Sequence, residues 1–408
     1  MYDCIIIGAG AAGLFAALSA SDMDKRVLIL EKNSIPGKKI RITGKGRCNI
    51  TNSCSFDELI ENIPGNGKFL YSSLSRFSNY DIIDTFNSLG LDTVVERGNR
   101  VFPASDKAID VVNVLVKELK RRNVEIRYNS CVDKIVYEND CVKGVYVEGQ
   151  FIETKNVIVA TGGLSYPGTG STGDGYKFAI EAGHTIIPVK PSLVPLVSSD
   201  KWIKDLQGLS LRNIRLSLMN KDGCFYSDFG EMLFTHNGIS GPLVLTASRH
   251  YISQKYKEVT ASIDLKPALD EEKLDLRLLR DFEKYSRKQL KNAFNDLLPA
   301  KMIPVFVNRL EIDDIRTVNQ ITSSERKQIL SLLKDFRINI INHSKMAEAV
   351  VTSGGVSTKE INPKTMESKI KKGLFFAGEV IDVDGYTGGF NLTIAFSTGY
   401  LAGKSLNQ

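Results

Sequence analysis

Four apolar residues, Cys4-Ile5-Ile6-Ile7, stand almost at the start of the chain, and an Ala/Leu-rich stretch runs on to Ala20. The first pattern predicts a buried strand and the second a helix. Between them lies Gly8-Ala9-Gly10-Ala11-Ala12-Gly13, a tight glycine turn. A second buried run, Val27-Leu28-Ile29-Leu30, ends on Glu31. Strand, glycine turn, helix and acid-terminated strand are the opening unit of a doubly wound α/β sheet.

Further along, residues 110–122 place Val111, Val112, Leu115, Val116 and Leu119 on one helical face. Residues 124–128 predict a strand, and residues 131–154 alternate with turn residues as a small antiparallel meander would. Residues 156–160 read as another buried strand. From Lys190 the texture changes, with Pro191 and Pro195 and an alternating stretch at 209–219. Residues 270–309 are highly charged and helical in period, punctuated by Pro267, Pro299 and Pro304. Near Val350 the α/β pattern returns, and Leu374-Phe375-Phe376-Ala377 precedes a Gly-rich loop and a helix at about 392–401. The expected fold is α/β: a two-dinucleotide-type, Rossmann-like nucleotide domain with an inserted β-rich domain and a small helical subdomain. The nucleotide domain is expected at 1–190 and 346–408, the β-rich domain at 191–266 and 310–345, and the helical insertion at 267–309.

Composition adds few constraints. The 408 residues are 42% hydrophobic and 25% charged, with a net charge of +6, which is ordinary for a globular chain. Lys120-Arg121-Arg122 and Lys369, Lys371 and Lys372 are short basic clusters without interleaved aromatics. A small-molecule substrate and no nucleic-acid partner are expected on that ground. No apolar run approaches a membrane span. Met1-Tyr2-Asp3 leads straight into the first strand, so no cleavable signal is expected. The six cysteines have no C-x-x-C spacing and the four histidines no ligand-spaced pair. Reduced thiols, a cytoplasmic location and no metal follow as expectations. Nothing in the pattern sets the oligomeric state.

The chemistry concentrates in four segments. In the first, Gly8, Gly10 and Gly13 suit a tight turn, a close approach to a pyrophosphate and close helix–strand packing, with Ala11 and Ala12 at the helix N-terminus. Glu31 is placed to accept both hydroxyls of an adenosine ribose and disfavours a 2′-phosphate. In the second, Gly378 and Glu379 follow a strand, and Asp384, Gly388, Gly389, Asn391 and Leu392 lead into the last helix. A carboxylate there can hold ribityl hydroxyls, and the helix N-terminus can face the N1–C2=O edge of a flavin. The third is Ala160-Thr161-Gly162-Gly163 at the end of a buried strand. The fourth, residues 36–52, offers Lys38, Lys39, Gly46, Arg47, Cys48 and Asn49 for pyrophosphate, ribityl and flavin-edge contacts. Lys32 and Val132 complete the candidate cofactor contacts. A second G-x-G-x-x-G, starting at Gly168, sits eight residues beyond its strand behind Pro167, with no acid-terminated strand after it. It is expected to be a loop and helix start, not a nicotinamide site. Cys48 lacks a C-x-x-C partner, so a structural role is expected for its thiol.

These segments together resemble a family of bacterial FAD-binding flavoproteins described as aminoacetone-oxidase-like or bile-acid-reductase-like. The resemblance rests on GAGAAG at 8–13, GKGRCNITN at 44–52, SYPGTGSTGDGY at 165–176, THNGISGP at 235–242, TSGGVSTKEINPKTMESK at 352–369 and FAGEVIDVDGYTGGFNLTIAFSTG at 376–399. Lys45 stands where the family carries a small residue. The resemblance implies FAD and a three-part architecture. The expected activity is NAD(P)H-driven reduction of an activated C=C bond, of the steroid or bile-acid enone type. The alternatives are oxidation of a small amine such as aminoacetone and a non-enzymatic flavin redox sensor. An RNA-modifying protein is the reading that the scattered basic residues support least. Tyr386, Thr352 and His236 are the candidate catalytic groups.

Overall fold

The computed structural model describes residues 1–23, 25–254, 258–313 and 315–406. The chain forms two compact units, Met1–Ser192 with Met346–Gln408, and Leu193–Lys345.

The first unit is built on five parallel strands: β1 (Cys4–Ile7), β2 (Val27–Leu30), β3 (Glu125–Arg127), β4 (Val157–Val159) and β5 (Leu374–Phe376). Their spatial order is β5-β4-β1-β2-β3. Ile5 pairs with Val157 on one side of β1 and with Leu28 on the other. β1, β2, β4 and β5 are apolar throughout and fully buried, as strands of a parallel sheet covered on both faces must be. The chain leaves β1 toward β2 and β3 on one side and later adds β4 and β5 on the other. The strand order therefore reverses at β1, and a crevice opens beyond the carboxyl ends of β1 and β4. The glycine turn after β1 and the Ala160–Gly162 segment after β4 both lie there.

Helix α1 (Ala11–Ser21) packs against the terminal helix Phe390–Lys404. Phe15 meets Phe396 at 4.4 Å between ring centres, and the Ser19 hydroxyl donates to the Tyr400 carbonyl at 2.8 Å. The last segment of the chain is thus part of the first domain. The amphipathic segment near 110 is the helix Ala108–Arg121, with Val111, Val112, Leu115 and Leu119 buried. The meander comprises Val132–Glu138, Cys141–Val147 and Gln150–Glu153.

The second unit is a closed six-stranded barrel with helices. Its strands, in spatial order, are Leu196–Ser198, Gly238–Ser240, Gly223–Phe234, Ser210–Asn220, Val259–Asp264 and Phe336–His343. Helices Glu271–Lys284, Leu290–Ala293 and Ile303–Asn308 lie in the charged stretch. Helical structure continues past Arg309, because Thr322 and Glu325 form a capping box that starts Ser323–Lys334. Its Ile329 and Leu333, four residues apart, are both buried. Among the described residues of the stretch 310–345, only Phe336–His343 is strand.

Candidate active site

The glycine turn has the shape that a bound dinucleotide requires. A side chain at Gly13 would come within 1.9 Å of the Gly8 carbonyl oxygen, so helix and turn can close only on glycine. A side chain at Gly10 would meet nothing within 4 Å, so the space before the helix is open. No side chain caps α1. Its first N–H groups and positive dipole end therefore face that space with the Ala11 and Ala12 backbone, a fitting seat for a pyrophosphate.

Glu31 sits at the end of β2, buried, but its carboxylate does not stand open. One oxygen accepts the Ala9 N–H at 2.8 Å, and the other accepts the Asn33 N–H at 2.8 Å and the Asn33 amide at 2.7 Å. A carboxylate offers about four acceptor positions. Three are taken by the loop, which leaves one for a ribose hydroxyl where the sequence led us to expect two. Glu31 therefore orders the loop as much as it meets the nucleotide.

The cationic side chains expected around the phosphates are mostly answered by the protein itself. Lys32 pairs with Asp174 at 2.5 Å and also bonds Thr172. That contact draws the second glycine motif onto the end of β2, where the Asn33 amide also donates to the Thr169 carbonyl. The motif forms a turn at Pro167–Thr169 and the helix Asp174–Glu181. Lys38 reaches the Asn33 side chain at 2.9 Å. Arg47 is held by Glu96 and Asp106 and lies 4.3 Å over the Phe102 ring. Its charge is thus spent at the loop's outer side, a partnership that only the fold reveals.

In the same loop, Gly46 is exposed and Cys48 buried. Burial pushes the Cys48 thiol up to about 12, even though it bonds Thr43, so no thiolate forms near neutrality. The neighbouring Asn49 Oδ1 is buried and has no hydrogen-bond partner among the described residues. Such an orphan costs stability unless a ligand or water answers it. A polar cofactor edge fits that atom, and together with the open space at Gly10 the residues present fit FAD.

The C-terminal arm is organised around a half-buried ion pair. Glu379 accepts Lys39 Nζ at 2.8 Å, the Ser165 hydroxyl at 2.6 Å and the Thr352 N–H at 2.8 Å. Burial pushes its carboxyl up. The Lys39 charge outweighs that, together with hydrogen bonds from Lys39, Ser165 and the Thr352 N–H, and holds the group below the usual carboxylate range. Glu379 thus ties four chain segments together, where a free ribityl acceptor was expected. Gly378 donates its N–H to Thr398 at 2.9 Å, at the start of that arm.

Asp384 is buried and accepts the hydroxyls of Ser192 at 3.1 Å and Ser353 at 3.2 Å, so it is a brace. Asn391 holds its own loop: it accepts the Gly385 N–H at 2.9 Å and donates to the Gly385 and Tyr386 carbonyls. Gly389 precedes the terminal helix with φ 105°, and a side chain there would come within 2.5 Å of the Thr51 backbone. That helix has no side-chain cap, and Gly388 and Leu392 flank its start. Val132 lies buried at the start of the meander, and the Ala160 N–H bonds the Ile7 carbonyl at 3.0 Å beside Thr161 and Gly162.

Of the catalytic candidates, Thr352 is fully buried. Its hydroxyl oxygen accepts the Leu164 and Ser165 N–H groups at 2.8 and 3.1 Å and so clamps that turn. His236 is exposed on the turn before Gly238–Ser240, in the second unit. Tyr386 is half-buried in the Gly-rich loop of the first unit, its N–H on the Asn62 carbonyl at 2.9 Å. Sequence reasoning missed Asn52, which donates to the Gly388 carbonyl at 3.0 Å and so sets the glycine pair, and Thr51, which meets Thr393 at 2.7 Å. It also missed Ser165. All three lie in segments already singled out, and only their partners were hidden.

Residues 2–405 match the family described as HI0933-like protein Rossmann domain. The chain belongs to this family. It is an FAD-dependent oxidoreductase with a Rossmann-like fold. Among HI0933-like relatives, the ribosomal RNA dihydrouridine synthase of Escherichia coli is 32% identical, over 99% of this chain and 98% of its own length. The 3-dehydro-bile acid delta(4,6)-reductase of Clostridium scindens is 33% identical over 98% of each. In fold, the chain is similar to 3-ketosteroid delta1-dehydrogenase from Sterolibacterium denitrificans, with a TM-score of 0.53 and 13% identity over 99% of each chain. Among the described residues no helix is long and apolar enough to cross a membrane.

Proposed function

We propose that this protein reduces a C=C bond conjugated to a carbonyl group, with NAD(P)H as electron donor. One observation carries the reading. Two full-length relatives bear names of different substrates but one chemistry. Dihydrouridine is uridine saturated at a bond conjugated to a ring carbonyl, and a delta(4,6) double-bond system beside a 3-oxo group is an extended enone. Saturating such a bond takes a hydride equivalent at the carbon β to the carbonyl, or at the δ carbon for the far bond of the dienone, and a proton at the neighbouring carbon, with NAD(P)H becoming NAD(P)⁺ in the reaction proposed here. Bound FAD supplies the relay of two electrons between donor and acceptor. The chain's own part is to seat the pyrophosphate on α1, to meet the cofactor with Asn49, to hold the Gly-rich loop through Asn52 and Asn391, and to join the segments of Ser165, Thr352 and Lys39 through Glu379. Tyr386 is our candidate for delivering the proton.

Against the expectation drawn from the short, scattered basic clusters, the division of charge between the two units favours the uracil of an RNA over the steroid. Residues 193–345 carry 24 Lys and Arg against 19 Asp and Glu, whereas the rest of the chain carries 29 against 28. Nearly all of the net positive charge lies on one unit, which suits a polyanion better than the single carboxylate of a bile acid. The test is anaerobic incubation of the holoenzyme and NADPH or NADH with an unmodified ribosomal RNA transcript, and separately with a 3-oxo-4,6-diene bile acid. Nucleoside mass spectrometry should find dihydrouridine, formed in step with NAD(P)⁺. Reduction of the bile acid alone selects the steroid. Reduction of neither, with oxidation of a small primary amine, overturns the proposal.

A further inference from the structure

The second unit carries a basic stripe that the site described above does not use. Helix Glu271–Lys284 has four cations, Lys273, Arg277, Arg280 and Lys284. At about 100° per residue they fall within roughly 60° of one another around the helix. The acids Glu271, Glu272, Asp275 and Glu283 project elsewhere, and Asp275 is occupied by Arg326 at 2.7 Å. From Lys273 to Lys284 the stripe is about 17 Å long. It continues into Arg287 and Lys288, both exposed. Lys284 and Lys288 flank the Tyr285 ring at 4.8 and 5.0 Å, so an aromatic face sits among the cations.

Lys273, Arg277 and Lys284 have carboxylate partners in Asp270, Asp281 and Asp296. Arg280 and Arg287 have none among the described residues. Leu269 and Leu276 join Lys273, Arg277 and Arg280 in a shallow depression that no acidic side chain lines. Leu276 is 66% exposed on a helix whose Leu274 and Leu278 are fully buried. An exposed leucine beside arginines, a tyrosine ring among lysines and two unpaired guanidinium groups match what a nucleic-acid strand presents: phosphates, sugars and base faces.

We infer that this face, Lys273 to Lys288, docks the phosphate backbone of RNA. The inference rests on the RNA reading of the substrate given above. The stripe supplies affinity and positioning, while base recognition belongs to the flavin site.

The test uses the full-length FAD-loaded protein and its Arg280→Glu/Arg287→Glu variant, with a fluorescent hairpin transcript of ribosomal RNA as probe. Binding is read by anisotropy at several KCl concentrations. The variant should bind about tenfold or more weakly, and the slope of log affinity against log salt should fall by roughly 2, about one per lost phosphate contact. NADPH oxidation with oxygen as acceptor should be unchanged, because neither arginine belongs to the unit that carries the flavin site. Equal affinity and slope in the two proteins would overturn the inference. So would a wild-type dimer that the variant loses without change in RNA binding, because the stripe would then meet a second copy. A variant that forms dihydrouridine at the wild-type rate and affinity sinks the docking surface alone. A wild-type protein that neither binds nor modifies the RNA sinks the RNA reading with it.

Discussion

The Lys39–Glu379 pair gives the sharpest test of how the site is held. In Glu379→Gln the Thr352 N–H and the Ser165 hydroxyl keep an acceptor, but the amide turns an N–H₂ toward Lys39 Nζ. The two side chains are only 25% and 18% exposed, so the stranded ammonium is poorly solvated. Breaking a buried pair on one side costs about 3–5 kcal/mol, and the residual exposure lowers that to about 2–4 kcal/mol. Removing both partners, in Lys39→Met/Glu379→Gln, should cost less than Glu379→Gln alone. Urea unfolding of the flavin-free proteins measures all of these, and the double-mutant cycle isolates the coupling. Acid supplies the sign. The carboxyl of Glu379 lies below its ordinary value in the folded protein. Its stabilisation is therefore complete above the unfolded value of about 4.3 and disappears as pH falls through the lower folded value. The wild type should lose this increment on acidification and Glu379→Gln should not. A Gln variant as stable as wild type at neutral pH, or strictly additive costs in the cycle, would refute the reasoning.

Three further outcomes follow from named atoms. Asn49→Ala should weaken FAD binding about fivefold, the worth of one hydrogen bond, while leaving the flavin-free protein as stable as before, because the lost oxygen has no partner there; reduced flavin-free stability would show that the amide is structural. Alkylation of the native protein at pH 8 should label the exposed Cys131 and Cys224 and spare Cys48, whose buried thiol is pushed up to about 12; rapid labelling of Cys48 would contradict its burial. The described residues contain one parallel sheet and one glycine turn of the dinucleotide kind, so NAD(P)H and the acceptor should share the flavin face in turn. Initial rates should give parallel double-reciprocal lines, and intersecting lines would reveal a separate nicotinamide site.

What could be read in the sequence was whatever is local. Contiguous apolar runs gave β1, β2, β4 and β5, because a doubly covered parallel strand needs no alternation. The turn at Gly8–Gly13 was legible because its glycines answer to neighbours a few residues away. The helix Ser323–Lys334 escaped because its signal is a capping box and two buried residues in a polar segment, weaker than the strand that follows. The site's wiring escaped for another reason. Lys39 and Glu379 are 340 residues apart, and Asn52 and Gly388 are 336 apart. Each side chain looked available for a ligand, and only the fold shows which ones the protein has already engaged. Glu31 is the intermediate case: its place at the end of β2 was legible, but not its bonds to Ala9 and Asn33.

The central claim is that electrons pass from NAD(P)H to a C=C bond conjugated with a carbonyl. Anaerobic stopped-flow spectroscopy tests it most directly. The FAD-loaded protein is first bleached with a stoichiometric amount of NADPH or NADH, then mixed with ribosomal RNA transcript or with the dienone bile acid. The account predicts that one of these acceptors restores the oxidised flavin spectrum without oxygen, with one acceptor bond saturated per flavin. A flavin that NAD(P)H does not bleach, or that only oxygen restores after bleaching by an amine, would contradict it.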